Sequence, residues 1–188
     1  ATIKWLEDRL NLINCPSEAE DIALSIPDNG GVYFVPAFVG LGAPWWNHQA
    51  KAIIYGMELG TGKAHIVRAA LEAIAYQVKD LVDLMTMQAG INLKELRVDG
   101  GPTKNAFLMQ SQSDMLNAVI NRSNIEEASA LGAVVMNGLA RGIWKSLEEV
   151  AMLRQPLQLF SPNMDEKIRT QLYSGWLNAL GMIQKNIN

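Results

Sequence analysis

Leu93-Lys94-Glu95-Leu96-Arg97-Val98-Asp99-Gly100-Gly101-Pro102-Thr103-Lys104-Asn105 is the stretch on which the fold turns. Leu93, Leu96 and Val98 lead into Asp99-Gly100-Gly101; Pro102 follows, and Phe107 and Leu108 then repeat at helical spacing. This predicts a strand, a tight glycine turn and a helix start, with Thr103 as N-cap and Pro102 confined to early-helix geometry. Gly100 and Gly101 lack a Cβ, so both can take positive φ and let a flat group lie against the main chain. Asn105, one turn on, aims an amide at the same spot. An adenine or a ribose fits that description. Taken locally, the same arrangement is also ordinary βα geometry, so the neighbourhood has to decide between them.

Working outward, Val98-Asp-Gly-Gly-x-x-x-Asn105-x-Phe107-Leu-Met-Gln110 is preceded by Gly40-Leu-Gly-Ala-Pro44 and followed by Ala130-Leu-Gly-Ala133. A second pattern joins Ala52-x-Ile54-x-Gly56-Met57, across seven residues, to His65-Ile66-x-x-Ala69-Ala70-Leu71-Glu72. Together these resemble the C-terminal region of the FGGY carbohydrate kinases, the glycerol kinases in particular, from Trp5 to Trp176. The resemblance implies an α/β fold of the actin-like, ribonuclease H-like ATPase type. Residues 1–188 then correspond to most of the second of two domains that hold ATP between them, without that domain's first strands.

Several roles follow from the resemblance. Gly100 and Gly101 would form a backbone shelf for adenosine, Asn105 a polar contact to it, and Asp99 would fix the turn. The family's first helix here carries Ser-Ile-Gln-Trp-Leu, and its glutamine contacts nucleotide; Lys4 stands at that position. An ammonium there reaches a phosphate or remains a solvated helix-face charge. The family's D-x-G-T phosphate motif, polyol contacts and general-base aspartate belong to the other domain, so no catalytic residue is expected on this chain. ATP and Mg²⁺ are the implied cofactors and ATP/ADP the implied ligands. Glycerol is the first-choice substrate, with xylulose or another sugar as the alternative. A non-catalytic actin-like module, its Gly-Gly turn purely structural, is the reading from a different class. A homo-oligomer stays open. Asn47 departs from the family, which has aspartate after the tryptophan.

The composition agrees with a single ordinary core: 49% of the 188 residues are hydrophobic. A net charge of −3 with no basic face argues against nucleic-acid and polyanionic-membrane partners. Cys15 is the one cysteine, so no intrachain disulfide forms and a cytoplasmic protein is expected. There is no apolar run of about 18 residues. The chain opens on Ala1 inside a helical pattern, which reads as a fragment.

Spacing predicts a helix over 3–13, one short helix within 15–30, and a strand from Val32 that Pro36 marks as an edge or an end. Trp45 and Trp46 read as core or domain contacts rather than a sugar platform. Lys51–Met57 reads as a strand, and Gly60-Thr-Gly62 enters a helix over 63–88 with Ile66, Ala69, Ala70, Ala73, Ile74, Gln77, Leu81 and Leu84 facing inward. His65 and Glu72 lie about 10.5 Å apart along it, too far to pair. They are expected as a helix-start imidazole and a hydrogen-bonded carboxylate. With only His48 besides, no Cys/His metal cluster can be drawn. Beyond the central turn come helix 103–117, strand 118–120, and helix 128–141, with Glu126-Glu127 at its positive end and Ala130–Ala133 in tight sheet contact. A helix over 146–153, an extended return over 155–160 and a closing helix over 163–186 end the chain.

Overall fold

The computed structural model describes residues 1–123, 128–152 and 156–184. Its elements run α1 (Thr2–Asp8), α2 (Glu18–Leu24), β1 (Tyr33–Val35), β2 (Ile53–Tyr55), α3 (Lys63–Ala89) and β3 (Glu95–Val98). After a 3₁₀ turn (Gly101–Lys104) come α4 (Ala106–Leu116), β4 (Val119–Ser123), α5 (Ala128–Ala140), α6 (Leu147–Met152), β5 (Pro156–Phe160) and α7 (Glu166–Gln184). The expected αβ layering is present. The strands form an antiparallel β1–β2 pair and a sheet of order β3–β4–β5, in which β3 runs parallel to β4 and β5 antiparallel. Among the described residues β3 therefore lies at an edge of that sheet.

The long helix α3 carries both halves of the core. Val67, Ala69, Ala70 and Leu71 pack with Leu6, Phe34, Leu108 and Ile120, whereas Ala73, Ala75 and Tyr76 pack with Val35, Trp176 and Leu180. Alanines along this face let neighbouring elements approach closely, and the Tyr76 and Trp176 rings stack at 5.4 Å. The inward face differs from the expected one. Gln77 and Leu81 are exposed and Asp80 is buried, because three donors meet the Asp80 carboxylate there: Trp45 Nε1 at 3.0 Å, Trp176 Nε1 at 3.0 Å and Tyr173 Oη at 2.6 Å. Trp45 is thus the interior contact its sequence context suggested, while Trp46 faces solvent.

The first helix is shorter than its spacing implied. It stops at Asp8; Asn11 adopts φ 50°, and the Leu12 amide turns back to the Leu6 carbonyl at 3.0 Å. Ile13 reaches the core by that turn, not by helical phase. β1 ends at Val35, directly before Pro36, as the missing proline donor requires. At the other end, α7 buries Trp176, Leu180 and Ile183 but leaves Ile168 exposed. The tight contact expected for Ala130–Ala133 is not formed: these residues are exposed, and no atom lies within 4 Å of a Cβ built on Gly132. Glu126, Glu127 and Gln155 lie outside the described residues. Among the described residues no helix is long and apolar enough to cross a membrane.

Candidate functional site

A cleft of about 720 Å³ opens where the start of α1, the first turn of α2, the middle of α3 and the entry to α4 converge. This is the size range of small-molecule sites. Its wall is apolar, from Ile3, Leu71, Ile74 and Leu108, and its rim is polar, from Ser17, Glu20, Lys104 and Asn105. A flat aromatic base needs such surroundings: dispersion and desolvation along its faces, a few hydrogen bonds at its edge.

The glycine turn lines this cleft through Gly101. The two glycines play different parts, against the expectation of a shared positive φ. Gly100 sits at φ 89°, ψ 173°, a region essentially closed to other residues. Gly101 is not in the left-handed region, and a Cβ built on it meets nothing within 4 Å. Its lack of a side chain therefore leaves room without relieving strain.

Thr103 does not cap the helix. It is buried beneath the turn, where its Oγ1 donates to the Gly100 carbonyl at 2.7 Å and its amide to the same oxygen at 3.1 Å. Thr103 thus fixes the turn, the part assigned to Asp99, whose exposed side chain makes no hydrogen bond among the described residues. The cap is Asn105, extended at φ −81°, ψ 108°, with Oδ1 accepting the Leu108 amide at 2.7 Å. Its Nδ2 has no partner among the described residues and remains available at the cleft rim.

Glu20 was not foreseen. It reaches across 86 residues of sequence to accept the Ala106 amide at 3.0 Å through Oε2. Two amides at the start of α4 are therefore already satisfied, one of them by a carboxylate. With those two amides taken, this helix end has less to offer an incoming anion than an uncapped one would. Nothing local in the sequence marks Glu20, because its partner is distant in the chain.

Lys4 is placed apart from this cleft. Its ammonium pairs with Glu7 and Asp8, each at 3.1 Å, and those carboxylates raise its pKa, Glu7 foremost. His65 Nδ1 accepts the Gly62 amide at 3.1 Å as a helix-start imidazole. Glu72 is a hydrogen-bonded carboxylate, held by Arg68 Nε and Asn29 Nδ2 at 2.8 Å each and by Tyr76 Oη at 3.3 Å. Burial pushes its pKa up in spite of these partners. Arg68 also binds the Ala23 and Ile26 carbonyls and lies over the Phe107 ring, so this cluster braces α2 and α4 behind the cleft. Among the described residues no three His, Cys, Asp or Glu side chains converge on a point where a metal ion could sit.

Residues 1–141 match the C-terminal domain of the FGGY family of carbohydrate kinases. Over 180 residues the chain is 48% identical to glycerol kinase 2 of Thermotoga maritima and 49% identical to glycerol kinase of Thermococcus kodakarensis. Both alignments cover 96% of this chain and 36% of the relative, so the chain spans about a third of their length. In three dimensions it superposes on Plasmodium falciparum glycerol kinase, solved with ADP, with a TM-score of 0.89 at 45% identity, over 96% of this chain and 36% of that one. The fold also matches Lactobacillus acidophilus xylulose kinase, with a TM-score of 0.77 at 22% identity, over 96% of this chain and 38% of that one.

Proposed function

Since this chain belongs to the FGGY family of carbohydrate kinases, we propose that it supplies the adenosine side of a cleft in which the γ-phosphate of ATP passes to a hydroxyl of a small polyol, glycerol in the first place. The activity is then that of a cytoplasmic phosphotransferase, to whose C-terminal domain residues 1–141 correspond. The observation that carries this reading is the apolar slot beside Gly101, with a polar rim and a helix start whose Ala106 and Leu108 amides are already taken. Glycerol is favoured over xylulose because the relatives near 48% identity are named glycerol kinases, while the xylulose kinase likeness is one of fold.

Phosphoryl transfer of this kind is positioning and charge stabilisation. This chain contributes positioning. Ile3, Leu71, Ile74 and Leu108 would clamp the base and exclude water from its faces; Gly101 leaves the backbone low enough for the base to enter; Asn105 Nδ2 donates to its edge. Holding one end of ATP fixes the distance from its other end to the acceptor, and misplacement of about 1 Å costs on the order of a hundredfold in rate. Mg²⁺ would supply charge neutralisation at the phosphates, and among the described residues no cluster of three His, Cys, Asp or Glu side chains would hold it. The proton acceptor and the polyol contacts would come from the rest of the protein.

Gly101→Val in the full-length parent tests the reading. The new side chain enters the cleft without straining the backbone, so melting should be unchanged while kcat/KM for ATP falls on the order of tenfold to a hundredfold. The KM for glycerol should hold. Gly100→Ala is the contrast: forced φ of 89° should cost about 1–3 kcal/mol of stability. Unchanged ATP kinetics in a folded Gly101→Val protein would remove adenosine from this cleft.

A further inference from the structure

The cleft rim presents two polar groups whose orientation is fixed from behind. Glu20 Oε2 is held by the Ala106 amide, which leaves Oε1 as an acceptor without a partner among the described residues. Asn105 Oδ1 is held by the Leu108 amide, which leaves Nδ2 as a donor. Both side chains line the same cleft, and their anchoring amides are two residues apart on α4. An acceptor and a donor on one half-buried rim, each unable to rotate without breaking a cap, form a fixed hydrogen-bond pattern.

The edge of adenine that carries the 6-amino group and N7 is the complement of that pattern: the amine donates and N7 accepts. Hypoxanthine and guanine present on that same edge a carbonyl oxygen where adenine has the amine, and a carboxylate oxygen facing it would leave two acceptors opposed, the N1–H of these bases lying on the far side of the carbonyl. Resting on the adenosine reading above, we infer that Glu20 is the residue that selects the base, accepting the 6-amino group of adenine through Oε1 and rejecting 6-oxopurines, while Asn105 Nδ2 donates to N7. The same carboxylate caps α4, so base selection and the placement of the glycine turn are set by one side chain.

The test compares ATP with ITP, which share N7 and differ in the 6-substituent and in the proton on N1 that goes with it, as phosphate donors for the full-length kinase and for Glu20→Gln. The wild type should prefer ATP by about tenfold to a hundredfold, the worth of one hydrogen bond to a charged group. In Glu20→Gln the amide oxygen must face the Ala106 amide, since the reverse orientation opposes two N–H groups. Nε2 then faces the base and donates to the 6-oxo group. The ratio of kcat/KM for ATP over ITP should fall by about tenfold or more, with ITP use rising in absolute terms. The ratio cancels any loss of folded or active protein, so an unstable variant still reports. If wild type uses ATP, Gly101→Val impairs that use, and Glu20→Gln leaves the ratio unchanged, Glu20 does not read the base and the adenosine site stands. If Gly101→Val has no effect on ATP, the adenosine site fails, and the selection by Glu20 fails with it.

Discussion

Asp80 offers the most direct measurement of what holds the second half of the core together. Its carboxylate accepts from two indoles and a phenol, tying the loop at Trp45, helix α3 and helix α7 at one point. Asp80→Ala leaves Trp176 Nε1 without a partner in a site fully closed to water, while Trp45 and Tyr173 are half-buried and can recruit solvent. One unsatisfied buried donor plus two weakened bonds to a former charge amounts to about 3–5 kcal/mol, or on the order of 10 °C in melting for a chain of this size. Asp80→Asn behaves differently. Its oxygen can serve both indoles and its NH₂ can face Tyr173, whose hydroxyl reverses to accept, so the cost should be about 1 kcal/mol. Urea unfolding followed by tryptophan fluorescence separates the variants. Burial raises the Asp80 pKa, outweighing the bonds from Tyr173, Trp176 and Trp45, and Asp83 adds to the rise. An acid with a raised folded pKa contributes stability below its unfolded pKa, and that contribution is lost as pH rises through the folded pKa. Wild type should therefore gain stability relative to Asp80→Asn as pH is lowered from neutrality toward 3.8, the ordinary value. A loss below about 1 kcal/mol in Asp80→Ala, or equal damage from Asn and Ala, would refute the hydrogen-bond account.

Asn105→Ala should cost about 1 kcal/mol of stability through the lost cap as well as raising the KM for ATP several-fold; Asn105→Asp keeps the cap acceptor and should restore melting while leaving ATP use impaired, which paired thermal and kinetic measurements will show. Gly175→Ala places a methyl against the ring and hydroxyl of buried Tyr33, so it should lower stability by about 1–3 kcal/mol, read by urea titration. The 188-residue chain, with Val134, Met136, Ile143 and Leu147 all exposed, should self-associate with rising concentration in sedimentation velocity; Val134→Lys with Met136→Glu should suppress it.

Helix α3 was legible because small and apolar residues from Ile66 to Ile74 recur at helical spacing and glycines stand at both ends. The strand and glycine turn of 93–105 were legible for a similar reason: local steric rules decide them. Long-range polar chemistry was not. Asp80 stands at inward phase, three residues past Gln77, but a carboxylate is not expected inside, and only the arrival of Trp45, Tyr173 and Trp176 makes its burial favourable. Glu20 looks like any acidic residue in a first helical turn until Ala106 is brought to it. Thr103 and Asn105 are both acceptable caps by type, and the choice between them is set by the 3₁₀ turn over Gly101–Lys104, which delays the helix by three residues. Lys4 was assigned through alignment position alone; its neighbours at one helical turn, Glu7 and Asp8, are what the ammonium finds.

Among the described residues, the strand that delivers the glycine turn to the cleft is bonded along one side. On its inner side β3 pairs with β4 from Glu95 to Val98, and its outer side is a row of backbone groups with no strand beside them among the described residues. In an amide-exchange experiment this divides the cleft into a slow half and a fast half. The α3 amides behind Leu71 and Ile74 exchange only when the core opens, whereas outward-facing amides of β3 exchange from the folded state, and fraying of that one strand carries Gly100 and Gly101 with it. Whatever pairs with the outer edge of β3 would then slow exchange at the turn without touching it, and a nucleotide seated on Gly101 should protect β3 in return.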